Sequence, residues 1–196
     1  MQIPLVLTSL RILLSPVFLL LYAYPEKWHI TPYYLPWILL MIVGVCELSD
    51  VFDGFFARRH NSVTRFGKIL DPMADSLFRL TVFLAFTKFP VQLPLVIVLL
   101  FFIRDSVIAM LRTLCALQGI TLAARLSGKI KAIVQAAVVF FILILMILYT
   151  TNKLELPVFQ KMSWYAASIA VIYTLASGIE YFWANRHYLK RAFEVV

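Results

Sequence analysis

Cysteine is nearly absent. Cys46 and Cys115 are the only two in 196 residues, with no spacing that suits a disulfide framework or a thiolate metal site. Each reads as a small, buried apolar residue. Histidine is almost as scarce: His29, His60 and His187 fall in loops or near segment ends, where an interfacial side chain is expected rather than a catalyst. This removes any plausible Ser/His/Asp or Cys/His nucleophilic set, and no glycine-rich phosphate loop occurs either. No repeat, low-complexity tract or dividing linker interrupts the chain, so residues 1–196 are expected to form a single domain. The N-terminus lacks a basic stretch and a small-residue cleavage pattern, so a removable signal peptide is not expected. A basic soluble segment is missing too, which leaves nucleic-acid binding without a basis.

What remains is strongly apolar: 62% of the residues are hydrophobic and the mean hydropathy is +0.89, well above globular composition. The expected fold is an all-α polytopic membrane protein. A span needs about 20 predominantly apolar residues. Six windows qualify, approximately Ile3–Tyr24, Tyr33–Ala57, Ile69–Phe89, Val91–Leu111, Ile130–Tyr149 and Trp164–Trp183. Arg11 makes the first impure, so Met1–Leu10 is expected to be an interfacial helix leading into the span, with Arg11 snorkelling to the headgroups.

The net charge of +8 is unevenly distributed. Six spans place both termini, the loop between spans two and three and the loop between spans four and five on one side of the membrane. That side collects Arg11, Arg58, Arg59, Arg65, Lys68, Arg112, Arg125, Lys129, Lys131, Arg186, Lys190 and Arg191, against Lys27, Lys88, Lys153 and Lys161 opposite. The bias assigns the first side to the cytoplasm of an inner-membrane protein. The C-terminal Arg186, Lys190 and Arg191 need no reading beyond topology and attraction to anionic lipid.

Into this apolar chain is set an acidic frame, Asp50-x2-Asp53-Gly54-x2-Ala57-Arg58-x8-Gly67-x3-Asp71-x3-Asp75. Carboxylates are expensive in a bilayer and usually functional there. On a helix, positions 50, 53, 54 and 57 share one stripe, and 67, 71 and 75 another. The polar segment from Arg59 to Phe66 can turn the chain, so that two antiparallel helices bring the stripes face to face. Gly54 and Gly67 leave room for close approach of a ligand or backbone. Hard divalent cations bind carboxylates together with substrate phosphates, and two such ions can clamp a diphosphate. Without His or Cys in the frame, zinc is disfavoured. The plain structural alternative is an ion-pair network with Arg58, Arg59 and Arg79. Glu47, Arg79 and Glu180 also lie within spans. Arg79 follows Asp75 by four residues, a spacing that permits a salt bridge. Structural pairing is expected for Arg79 and Glu180, and either helix pairing or an outer role at the metals for Glu47.

The frame resembles the signature of the CDP-alcohol phosphatidyltransferase family at every defined position. The resemblance implies a six-helix membrane enzyme, commonly a homodimer, that transfers a phosphatidyl group from a CDP-linked lipid to an alcohol and releases CMP. It further implies that Asp50, Asp53, Asp71 and Asp75 hold two Mg²⁺ or Mn²⁺ ions, with Asp75 also the general base. Gly54, Ala57 and Arg58 would receive the cytidine diphosphate part alongside Asp53, with Gly67 allowing close approach.

The resemblance extends to the family's glycerol-phosphate branch through Ile3-Pro4-x2-Leu7-Thr8-x2-Arg11, Phe66-Gly67-Lys68-x2-Asp71-Pro72-Met73-Ala74-Asp75, Arg104-Asp105 with Leu111-Arg112, and Gly128-Lys129-x-Lys131 with Gln135. This implies CDP-diacylglycerol as donor and sn-glycerol 3-phosphate as acceptor. Leu5, where the branch often has Asn, and Ser76, where it often has Lys, depart from the pattern. A phosphorylated acceptor needs a cationic pocket, for which Arg104, Arg112, Arg125, Lys129 and Lys131 are the candidates. Each also fits positive-inside topology, and Arg104 equally fits a pair with Asp105 or another buried acid. Other readings are the same chemistry on inositol phosphate, serine, choline or a lipid alcohol, and a divalent-cation transporter. A transport path needs acids spread across the membrane, whereas these aspartates cluster at one end.

Overall fold

The computed structural model describes residues 3–60, 67–117 and 126–194, with side chains described over 9–49, 73–115 and 126–187. Six α-helices account for most of them: α1 Ile3–Ala23, α2 Leu35–His60, α3 Gly67–Ala85, α4 Leu95–Leu117, α5 Leu126–Thr150 and α6 Leu156–Glu194. A 3-10 turn, Pro25–Trp28, follows α1. Among the described residues, α5 and the Leu156–His187 part of α6 are by themselves long and apolar enough to cross a membrane. Large apolar side chains point outward around the bundle, with Leu13, Met41, Met110, Ile172, Ile179 and Trp183 all exposed. Apolar surface on this scale suits a lipid surround rather than water.

Contacts along each helix pair fix the directions. Phe18 of α1 meets Phe78 of α3 and Phe86 just beyond its end edge-on at 6.2 and 6.3 Å, and Tyr22 meets Phe86 at 5.7 Å. Residue numbers rise together, so α1 and α3 run parallel. The Tyr22 hydroxyl donates to the Lys88 carbonyl at 3.3 Å and accepts from the Val91 amide at 3.4 Å, tying the C-terminal end of α1 to the loop after α3. Tyr149 stacks on Phe159 at 5.5 Å, and Gln135 reaches Thr174 at 3.4 Å, so α5 and α6 are antiparallel. Arg104 reaches Ser177 and Arg112 reaches Tyr181, so α4 and α6 are parallel. Alternating directions are what short connections between consecutive helices produce. The core between them is continuous and apolar, from Phe18, Leu39 and Val82 to Phe101, Ile142, Phe159 and Ala167.

The helices correct several sequence-based boundaries. The expected interfacial segment and the apolar stretch after it belong to one helix, because α1 is continuous from Ile3 to Ala23. Arg11 does not snorkel: it is buried and bonded to Asp75 of α3. A guanidinium that finds a carboxylate inside the bundle has no need of the headgroups. α4 starts at Leu95 rather than Val91. Pro90, Pro94 and the left-handed Gln92 (φ 55°) keep that stretch out of the helix. α6 begins eight residues before Trp164 and continues past Trp183 to Glu194. Hydropathy registers only the apolar middle of a helix whose backbone bonding continues through Gln160, Lys161 and the basic C-terminal segment.

Candidate active site

The acidic frame is divided between α2 and α3. Asp50, Asp53, Gly54, Ala57 and Arg58 belong to α2, and Gly67, Asp71 and Asp75 to α3. Side chains at 50–60 and 67–72 lie outside the described part, as does the segment 61–66 that joins the helices, so the facing of the two stripes falls outside it too. Asp75 is the frame member whose surroundings are described. It sits two turns into α3, about 12 Å along the axis from Gly67. Arg11, equally far along the parallel α1, donates to it from Nη1. One turn deeper on α3, Arg79 donates from Nε to Glu47 Oε1 of α2 at 3.4 Å. Arg11, Asp75, Glu47 and Arg79 line one cleft with Cys46 and Phe78. Spacing on α3 pointed Arg79 toward Asp75. Glu47, on another helix, lies outside the reach of any single-helix rule.

A second polar cluster joins α4, α5 and α6. Lys131 donates from Nζ to both oxygens of Asp105, at 2.6 and 2.7 Å. Arg104 donates from Nη1 to Asp105 Oδ1 at 3.0 Å and from Nη2 to Ser177 Oγ at 3.0 Å. Ser177 in turn donates to the Thr174 carbonyl at 2.8 Å. Gly178 makes room for this arginine, since a Cβ there would lie 3.1 Å from Arg104 Cγ. A buried lysine and a half-buried arginine thus share one carboxylate. Of the five cations expected at an acceptor phosphate, Arg104 and Lys131 are brought together here. Half-buried Arg112 donates from Nε to the Tyr181 hydroxyl at 3.3 Å, with its guanidinium 5.3 Å from the ring centre. Lys129 is exposed at the start of α5, and Arg125 lies outside the described residues. Sequence reasoning missed Ser177, Gly178 and Tyr181. Their signal, polar or small residues at i, i+1 and i+4 on α6, is too common in membrane helices to single them out.

The model matched by residues 1–177 is that of the CDP-alcohol phosphatidyltransferases. The chain belongs to this family. Among similar proteins, the CDP-diacylglycerol–glycerol-3-phosphate 3-phosphatidyltransferase of Bacillus subtilis (strain 168) is 31% identical over 197 residues, covering 96% of this chain and 97% of that protein. The protein of the same name from Escherichia coli (strain K12) is 42% identical over 76 residues, 39% of this chain and 38% of that one.

Family members generally depend on divalent metal; among the described residues no three acid, His or Cys side chains gather in one place, and Asp75 is the frame carboxylate that is described. Asp75 offers hard carboxylate oxygens, and its side chain keeps 20% of its surface accessible while its arginine partner is almost completely enclosed. Oxygen donors of this kind suit Mg²⁺ or Mn²⁺.

Proposed function

We propose that the protein transfers the phosphatidyl group of CDP-diacylglycerol to sn-glycerol 3-phosphate, giving phosphatidylglycerophosphate and CMP. The observation that carries this reading is the similarity to the Bacillus subtilis transferase along nearly the whole of both chains. The cationic cluster on α4 to α6 supports a phosphorylated acceptor, because a single carboxylate, Asp105, leaves the positive charge of Arg104 and Lys131 in excess.

In this reading Asp50, Asp53, Asp71 and Asp75 hold two divalent ions, Mg²⁺ or Mn²⁺. Bound there, the ions supply charge neutralisation of the diphosphate and of the departing CMP. Gly54, Ala57, Arg58 and Gly67 receive the nucleotide end of the donor. Asp75 takes the proton from the acceptor hydroxyl. The oxygen of that hydroxyl then bonds to the phosphorus attached to diacylglycerol, the phosphoanhydride bond breaks, and CMP leaves. Arg112 and Lys129 hold the acceptor phosphate, with Arg104, Lys131 and Arg125 adding positive charge around it. The reading also takes the protein as a homodimer of six-span subunits in the inner membrane. Both termini and the acidic site then face the cytoplasm, an orientation the basic bias of the loops supports.

The test is CMP release by purified protein given CDP-diacylglycerol and, separately, glycerol 3-phosphate, inositol phosphate, serine or choline. Turnover with glycerol 3-phosphate at least about tenfold above every other acceptor, a difference on the scale of one charge-assisted contact, is expected. Preference for an uncharged acceptor would overturn the assignment.

A further inference from the structure

We propose that Arg11 is a built-in counter-cation of the acidic site: it holds Asp75 until a divalent ion competes for that carboxylate, and so sets how readily the site loads. The inference rests on the metal-holding role assigned above to Asp75. Arg11 is a positioning residue in this scheme, acting on the reaction only through Asp75.

Three observations support it. The guanidinium forms the inner wall and the carboxylate the open side, since 3% of the Arg11 side chain is accessible against 20% of Asp75. Arg11 is also held in place. Phe18 and Tyr22, further along the same helix, are locked into the aromatic cluster with Phe78 and Phe86, and the Ser15 hydroxyl donates to the Arg11 carbonyl at 2.9 Å. Finally, Glu47, the other acid lining the cleft, is engaged by Arg79. A buried guanidinium is costly without a carboxylate partner, which favours keeping the Arg11–Asp75 contact until a divalent ion competes for it.

The consequence has a definite sign. Without metal, Arg11 offsets part of the repulsion among clustered aspartates. When a divalent ion approaches Asp75, the same fixed charge repels it. Even with water-like screening, a unit charge and a divalent ion a few ångströms apart repel strongly enough to change affinity by about tenfold or more. A residue that merely props up a metal ligand behaves in the opposite way, its loss weakening metal binding by about 10- to 100-fold.

The experiment is Mn²⁺ binding to the purified full-length protein without substrates, read from the loss of the free-ion electron paramagnetic resonance signal. Arg11→Gln is expected to bind Mn²⁺ about tenfold or more tightly than the wild type, while its maximal turnover falls. Arg11→Lys, which keeps the charge, is expected to stay near wild-type affinity. Arg11→Met, similar in length and uncharged, gives the same comparison if Arg11→Gln does not fold. Unchanged or weaker Mn²⁺ binding in neutral variants that melt like the wild type would overturn the inference and leave the metal reading standing. A wild type that binds no Mn²⁺ would overturn both.

Discussion

The two polar regions inside this bundle are opposites. On α1 to α3 each described cation has an acid, Arg11 with Asp75 and Arg79 with Glu47. The sequence adds Asp50, Asp53 and Asp71 to the same end of α2 and α3. On α4 to α6 one acid, Asp105, serves Arg104 and Lys131, with Arg112 a further cation on α4. The first region gathers five acids, matched in number by Arg11, Arg58, Arg59, Lys68 and Arg79 on the same helices, whereas cations outnumber acids in the second. Buried charge is retained in a membrane protein where it does work. Under the proposed function, the cluster of acids attracts divalent ions and the positive surplus a dianionic acceptor. In that reading a single bundle holds a nucleotide diphosphate and a glycerol phosphate without forcing like charges together.

The contrast can be broken from either side. The largest expected effect is at the acidic end. Asp75→Asn keeps the size of the side chain but removes the charge and the proton acceptor, and should lower the rate of CMP release by roughly 10²- to 10⁴-fold, the range of a lost general base. The measurement is single-turnover CMP release at saturating Mg²⁺, and near-wild-type release would remove Asp75 from the chemistry. At the basic end the first casualty should be the fold. Asp105→Asn leaves Arg104 and Lys131 buried with no carboxylate between them, at a cost of about 3–5 kcal/mol. Unfolding in detergent should register that loss, and the paired change Asp105→Asn with Lys131→Met should recover much of it. A single variant as stable as the wild type would mean that the cluster is compensated from elsewhere.

The same contrast governs how much was legible in the sequence. Asp50, Asp53, Gly54, Ala57, Arg58, Gly67, Asp71 and Asp75 could be proposed as a site from sequence because both stripes are local, each on one helix with helical spacing. The helices themselves were legible from hydropathy, although their ends were not: α6 continues to Glu194 after its apolar pattern fades. Arg11 was misread as a headgroup anchor because its partner lies 64 positions away on a different helix. The Arg104–Ser177 bond spans 73 positions, and Gly178 matters only because Arg104 passes beside it. Pairings of this kind are set by how helices pack, and no window along one helix contains them. The pair of Arg104 with Asp105 was legible as an alternative because the two are neighbours on α4, whereas the tie of Lys131 to the same carboxylate, 26 positions away, was not.

The central claim is that the two regions serve different substrates, and steady-state kinetics of Arg112→Ala with each substrate varied separately tests it most directly. Arg112 rests on Tyr181 rather than on a carboxylate, so its removal strands no buried acid partner among the described contacts. Loss of one charge-assisted contact, about 1.5–3 kcal/mol, predicts a rise of roughly ten- to a hundred-fold in the KM for glycerol 3-phosphate, with the KM for CDP-diacylglycerol within about twofold of the wild type. A rise in both constants together, or in that for CDP-diacylglycerol alone, would contradict the division of labour.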